Sequence, residues 1–293
     1  MRYLLAALML VTLALPASAG MREIEHDGKT RRFYVEFPAG PRNAPAIIVL
    51  HGGAGTPSKM RKITEFTLHE RGWVEIYPEG IKRQWNDGRT GADGKILRKT
   101  DDLGFLRAIV NQLASEGVLD PTRVFFTGVS NGGAMTLRMI CQAPELVAGA
   151  VVVIMNQPIG MDCPDGPPVP LLFIQSVDDP LVPFAGGPIN AKGDRGSVLS
   201  ANDTLAQYAF RNRCGAWEEI AITDHFPNDQ TLVRLHAYRG CAEPLRQFII
   251  DGGGHTWPGN KNHRWVEKLL GRTSLDISAT FEIEAFFTDL ARR

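Results

Sequence analysis

Ser130 lies in Gly128-Val129-Ser130-Asn131-Gly132, a G-x-S-x-G pattern, and a serine flanked in this way is a candidate nucleophile. Small flanking residues are a physical need, because a side chain at Gly128 or Gly132 would crowd the sharp turn that exposes the hydroxyl. A hydroxyl attacks poorly until a base takes its proton, and that base works best when a carboxylate orients it. Of the seven histidines, His255 is the candidate base: Gly252-Gly253-Gly254-His255-Thr256-Trp257-Pro258-Gly259 is a glycine-rich loop just beyond an apolar run, able to bring an imidazole to a sheet edge. His26, His69, His225 and His263 read as surface residues in polar or helical surroundings, and His236 as part of a strand. Asp178 and Asp179 both follow the apolar run 171–174 and precede Pro180. The residues alone leave the choice between them open, and an ordinary solvated turn would account for either.

Attack on a carbonyl also needs N–H donors for the oxyanion. His51-Gly52-Gly53-Ala54-Gly55 follows a strong apolar run, and glycines there leave backbone N–H groups unobstructed. The expected donors are the backbone N–H groups of Gly53 and of Asn131, the residue after the nucleophile, with His51 bracing the loop. Trp257 and Trp85, the latter beside Asn86, are candidates for the wall of an acyl or aromatic pocket.

These residues must be positioned by the elements around them. Apolar runs at 46–50, 74–77, 124–126, 150–154 and 171–174 read as strands, with two more at 232–236 and 246–250. Between them, helices are expected over 59–70, 100–118, from about 130, over 197–213 and over 276–290. In the helix over 100–118, Leu103, Leu106, Val110 and Leu113 share a face, and Thr100 with Asp101 and Asp102 suits its start. Strands apolar on both faces and spaced by helices predict an α/β fold, a mainly parallel sheet covered on both sides. The stretches 157–170 and 183–196, rich in Pro and Gly, read as long surface loops within one domain.

Composition narrows the function. The chain has 293 residues, 44% hydrophobic and 22% charged, which excludes disordered, collagenous and coiled-coil classes. Lys plus Arg and Asp plus Glu are 32 each, so there is no long-range positive field for nucleic acid or an anionic membrane, and a small or neutral partner is expected. Residues 1–19 read as a signal peptide: Arg2, an apolar run from Tyr3 to Leu15, Pro16, then Ala17-Ser18-Ala19 as a cleavage site. The run is shorter than the roughly 20 residues that span a bilayer, so cleavage should leave a mature domain over 20–293, without a membrane anchor, that is secreted or periplasmic. In an oxidising compartment Cys141, Cys163, Cys214 and Cys241 suggest two disulfides. Three pairings exist. The sequential one, Cys141 with Cys163 and Cys214 with Cys241, closes the smallest loops and is the one expected. A zinc site is disfavoured for want of a C-x-x-C or Cys/His cluster.

The set LHGG at 50–53, YPEGIKRQWN at 77–86, DDLGFL at 101–106, GVSNGG at 128–133, DDPLVPF at 178–184 and GGGHTWPG at 252–259 resembles the extracellular polyhydroxybutyrate depolymerase and feruloyl/acetylxylan esterase family. The likeness runs in order through nearly the whole mature chain. It implies a single-domain α/β-hydrolase, paired cysteines, and a triad of Ser130, Asp179 and His255, in that superfamily's chain order; preferring Asp179 to Asp178 rests on this resemblance. One departure is visible: Gln175-Ser176 stands where the family usually has a His-Gly pair ahead of the acid. The implied activity is hydrolysis of a small or oligomeric carboxylic ester through an acyl-enzyme, without metal or organic cofactor. Its rate should rise with pH through the range in which an imidazole ionises, about 6.5. No substrate-adsorbing module is recognised after Arg293, so soluble oligomers or small esters are expected ahead of crystalline polyester, unless the domain's own surface adsorbs. A serine peptidase on the same fold and a non-catalytic ligand-binding homologue are the alternatives. The natural ester and the oligomeric state are not legible in the residues.

Overall fold

The computed structural model describes residues 19–38, 42–260 and 264–293; nearly all of the expected signal segment, and His263, lie outside them. The strands are β1 (Gly20–His26), β2 (Lys29–Glu36), β3 (Ala44–Leu50), β4 (Val74–Pro78), β5 (Leu119–Val129), β6 (Gly149–Val153), β7 (Leu171–Ser176), β8 (Gly187–Pro188), β9 (Ser197–Val198), β10 (Trp217–Thr223), β11 (Leu232–Tyr238) and β12 (Leu245–Asp251). The α-helices among the described residues are α1 (Pro57–Thr64), α2 (Asp102–Ser115), α3 (Asn131–Gln142), α4 (Ala201–Arg211), α5 (Arg264–Leu270) and α6 (Ala279–Leu290). Ten strands form one sheet in the order β1-β2-β4-β3-β5-β6-β7-β12-β11-β10. From β4 through β12 neighbouring strands are parallel, and an antiparallel pair extends each end.

The central strands are apolar throughout because they have two buried faces. Alternate residues of β3 go to opposite sides: Ala46, Ile48 and Leu50 join a core with Phe105 and Leu106 of α2, Leu137 of α3 and Leu205 of α4. Ile47 and Val49 join the other core, with Met60 of α1 and Ile283 and Phe287 of α6. This two-sided covering is the expected α/β architecture.

The outer strands differ from the expectation, which contained none of β1, β2 or β10. β1 alternates half-buried and exposed residues and turns into β2 through Asp27-Gly28, both at positive φ (51° and 66°), the geometry of a tight hairpin turn. β10 is exposed along most of its length, including Trp217, Ile220 and Ile222, and its pairing with β11 slips between Glu219 and Ala221. Helix limits also moved. The segment 59–70 breaks after α1 because Glu65 adopts a left-handed backbone, φ 47°, and a short 3-10 turn, Leu68–Arg71, follows. α4 starts at Ala201 rather than 197 because Ser200 caps it, accepting the Asp203 N–H, while Ser197 and Val198 pair with β8. α6 likewise starts after Ser278, not at Asp276, whose carboxylate accepts the Phe226 N–H. Disulfides join Cys141 to Cys163 and Cys214 to Cys241, the sequential pairing.

Candidate active site

Ser130 stands between β5 and α3 with φ 56° and ψ −123°, a conformation that few side chains adopt and that the elements on either side must hold. Its N–H donates to Val153 O (3.0 Å) and its carbonyl accepts the Ala134 N–H (2.9 Å), so the neighbouring strand and the first turn of α3 grip it. The turn is tight. A Cβ on Gly128 would overlap the backbone of Gly132, and one on Gly132 would overlap the carbonyls of Leu50 and His51. The G-x-S-x-G spacing therefore lets α3 begin directly against the ends of β3 and β5.

Asp179 and His255 follow the C-terminal ends of β7 and β12, two strands hydrogen-bonded to each other. His255 Nδ1 lies 2.7 Å from Asp179 Oδ2. The other carboxylate oxygen, Oδ1, accepts the N–H groups of Leu181 (2.7 Å) and Val182 (2.9 Å), and only 2% of the Asp179 side chain is exposed. Asp178 turns away and accepts the Gly252 N–H (2.8 Å), closing the base of the histidine loop. That loop is held from behind by the end of α5 and the residues that follow it: Gly254 N–H donates to Arg272 O, His255 N–H to Leu270 O, and the Thr256 hydroxyl to Arg272 O. Ser130 Oγ makes no hydrogen bond among the described residues.

The loop after β3 packs against the nucleophile: a Cβ at Gly52 would stand 3.5 Å from the Ser130 Cβ. Among the described residues the N–H groups of Gly53 and Asn131 donate to no other group. His51 is only 1% exposed, and its two ring nitrogens are taken: Nδ1 donates to Gly52 O (2.8 Å) and Nε2 accepts the Gly80 N–H (3.0 Å). Burial pulls its pKa below the ordinary value, although the bond to the Gly52 carbonyl opposes this. A neutral imidazole with both nitrogens engaged braces the loop and is unavailable as a base.

The structure places both tryptophans in the interior. Trp85 is fully buried, its indole N–H donating to His51 O (2.8 Å), and Trp257 is 4% exposed, its indole N–H donating to Thr280 Oγ1 (3.1 Å) and its ring edge-on to Phe66. Each indole N–H has an acceptor, His51 O in the interior and the half-buried Thr280 Oγ1. Of the other histidines, His26 binds Asp101 and His236 stacks on Trp217, while His69 donates to the buried Glu75 rather than standing free at the surface.

The segment 85–89 lies between the starts of two helices; the sequence pointed to Trp85 and Asn86 as pocket wall and gave no sign of Asp87 or Arg89. Asp102, at the start of α2, accepts the Asn86 N–H (2.6 Å) and pairs with the buried Arg31 (2.7 Å). Asn131, at the start of α3, binds Trp85 and Asp87 through its side chain. The residues QWNDGR carry no periodic or spacing signal for this; the Asp-Asp pair at 101–102, read only as helix-start chemistry, was the available clue.

Comparison with known proteins adds the following. The model of the dienelactone hydrolase family matches residues 32–187, just over half of the chain. "Putative esterase NocK" of Nocardia uniformis subsp. tsuyamanensis is 29% identical over 89% of this chain and 80% of its own length. Feruloyl esterase B of Piromyces equi is 25% identical over 77% of this chain, and poly(3-hydroxyalkanoate) depolymerase C of Paucimonas lemoignei is 26% identical over 42% of it. The chain spans only 42% and 30% of the length of those two relatives. Among solved structures, an acetyl xylan esterase from Aspergillus awamori superposes with a TM-score of 0.56 at 15% identity, covering 91% of this chain and 98% of that one. A thermostable esterase superposes with a TM-score of 0.59, also at 15% identity, over 94% of this chain and 63% of its own. At that identity the likeness shows the fold, that of α/β-hydrolases.

Proposed function

The chain belongs to the dienelactone hydrolase family and is a carboxylic ester hydrolase; on that premise we propose that it works as an exported serine esterase through Ser130, Asp179 and His255. The observation that carries the reading is the 2.7 Å contact between His255 Nδ1 and Asp179 Oδ2 at adjacent strand ends, with Ser130 held in its strained turn beside the loop of His51. A carboxylate on Nδ1 fixes the tautomer that leaves Nε2 free to accept a proton. Nε2 takes the Ser130 proton as Oγ attacks the ester carbonyl, the N–H groups of Gly53 and Asn131 hold the oxyanion, and the proton passes to the departing alcohol. Water then repeats the sequence on the acyl-enzyme and releases the acid, restoring Ser130 and His255.

The substrate class we propose is a small or oligomeric ester of the feruloyl, acetyl-sugar or hydroxyalkanoate kind, in line with relatives named feruloyl esterase, acetylxylan esterase/xylanase and poly(3-hydroxyalkanoate) depolymerase. Export is supported by the segment 1–19 and by two disulfides, which persist in oxidising compartments. One catalytic domain over 20–293 is supported by a sheet that takes strands from Gly20 to Asp251. A panel of acetyl, butyryl and octanoyl nitrophenyl esters, methyl ferulate, hydroxybutyrate oligomers and a peptide amide, on wild type and Ser130→Ala, tests the reading. Ester turnover abolished in the alanine variant is expected; retained turnover refutes the serine.

A further inference from the structure

Asn131 has a side chain whose hydrogen bonds are all spent on one neighbour segment. Its Oδ1 accepts the Trp85 N–H (2.7 Å), and its Nδ2 donates to Trp85 O (3.1 Å) and to Asp87 Oδ2 (2.6 Å). The peptide N–H needs an acceptor and the carboxylate needs a donor, so only one orientation of the amide satisfies both. Asp87 is 3% exposed and its charge is matched by Arg89, 8% exposed, 2.8 Å from the same Oδ2. Trp85 reaches on to His51 O through its indole, and His51 in turn holds Gly52 O. One buried network thus ties the start of α3 to the glycine loop after β3, the two sources of the oxyanion donors in the reading above. An asparagine at the first position of a helix ordinarily faces solvent or caps its own turn; here it is 3% exposed and does neither.

We propose that the Asn131 side chain, held by Asp87 and Trp85, is a positioning residue that fixes the direction of its own backbone N–H toward the developing oxyanion, with Arg89 cancelling the charge that Asp87 would otherwise place beside it. The inference rests on the serine-esterase reading. Oxyanion donors act only within about 2.7–3.1 Å of the oxygen, and a displacement of about 1 Å can cost on the order of 100-fold in rate. The clamp therefore acts on the transition state and leaves ground-state binding of the ester almost untouched.

The test measures kcat and KM for a butyryl nitrophenyl ester, and the affinity of a trifluoromethyl ketone that forms a tetrahedral adduct with the nucleophile, in Asn131→Ala, Asn131→Asp, Asp87→Ala and Asp87→Asn. The Asn131 variants should lose about 10- to 100-fold in kcat with KM within about threefold, and ketone affinity should fall in step with kcat/KM. Asp87→Ala should show the same pattern more weakly, and Asp87→Asn, whose Oδ1 still accepts from Asn131, should recover to within about threefold of wild type. Asn131→Asp has the shape of the native residue and decides the matter should the alanine variant not fold. Wild-type kcat in a folded Asn131 variant, or a loss confined to KM with ketone affinity unchanged, overturns the clamp. Ser130→Ala is run alongside: retained turnover there overturns the serine reading and the clamp together, whereas abolished turnover there with wild-type kcat in Asn131→Ala overturns the clamp alone.

Discussion

Asp178 and Asp179 are adjacent in the chain, yet their carboxylates do different work: Asp179 reaches His255 Nδ1 at 2.7 Å, and Asp178 accepts the Gly252 N–H at 2.8 Å. Asp179→Asn should lower kcat by about 1,000- to 10,000-fold, the scale on which losing the carboxylate of such a triad leaves the imidazole in the wrong tautomer. Asp178→Asn keeps an oxygen for Gly252 and should stay within about threefold of wild type. Steady-state ester hydrolysis by the two variants measures the difference; equal losses would contradict the division of roles.

The buried position of Trp257 has its own consequence. Trp257→Phe loses the bond to Thr280 Oγ1 and should cost about 1 kcal/mol, seen as a melting temperature lower by about 2–4 °C. Its kcat/KM for methyl ferulate relative to a butyrate ester should not change. A selective rise in KM for the aromatic ester would return the residue to the pocket wall.

The disulfides close loops with sequence separations of 22 and 27 residues, which corresponds to about 3 kcal/mol of stabilisation each. Reduction with dithiothreitol should lower the melting temperature by about 5–10 °C per bridge. Cys141→Ala with Cys163→Ala, and Cys214→Ala with Cys241→Ala, should each reproduce one share of the shift.

His69 makes stability depend on pH. Burial pulls its pKa down, but the hydrogen bond and charge of Glu75, with Glu36 and Glu70 behind them, outweigh this and raise it above the ordinary value. The protonated ring is favoured by folding, so its contribution is complete below about pH 6.5 and is lost as pH rises through the raised folded value. The melting temperature of wild type should exceed that of His69→Gln most at pH 5–6, and the gap should narrow toward pH 8. A gap that widens with pH would reverse the sign.

The legible parts of the fold were those in which one residue pattern had one physical solution. The runs at 46–50 and 150–154 are apolar on both faces, and only the middle of a covered sheet accepts that. The hairpin β1–β2 escaped because Arg31, Arg32, Glu23 and Glu25 look like solvated chain, although Asp27-Gly28 was a turn signal in plain view. β10 escaped because a strand with exposed glutamates and isoleucines has no core-facing rhythm. In the site, Ser130 and His255 stood out through their glycine neighbours, which constrain the backbone locally. Asp87 did not, and Trp85 stood out only as a pocket wall, since their partners Asn131 and His51 are some 44 and 34 residues away and only the closed sheet brings them together.

At the outer rim of the sheet, β10 has one strand neighbour among the described residues, so one edge of its backbone lies beyond the ladder next to Trp217, Ile220 and Ile222. A straight rim of that composition would be a template on which a second molecule could zip and then a third. The slip in pairing between Glu219 and Ala221 dislocates the spacing of donors and acceptors halfway along the strand. Together with the charges at Glu218 and Glu219, that irregularity guards the protein against open-ended stacking at high concentration.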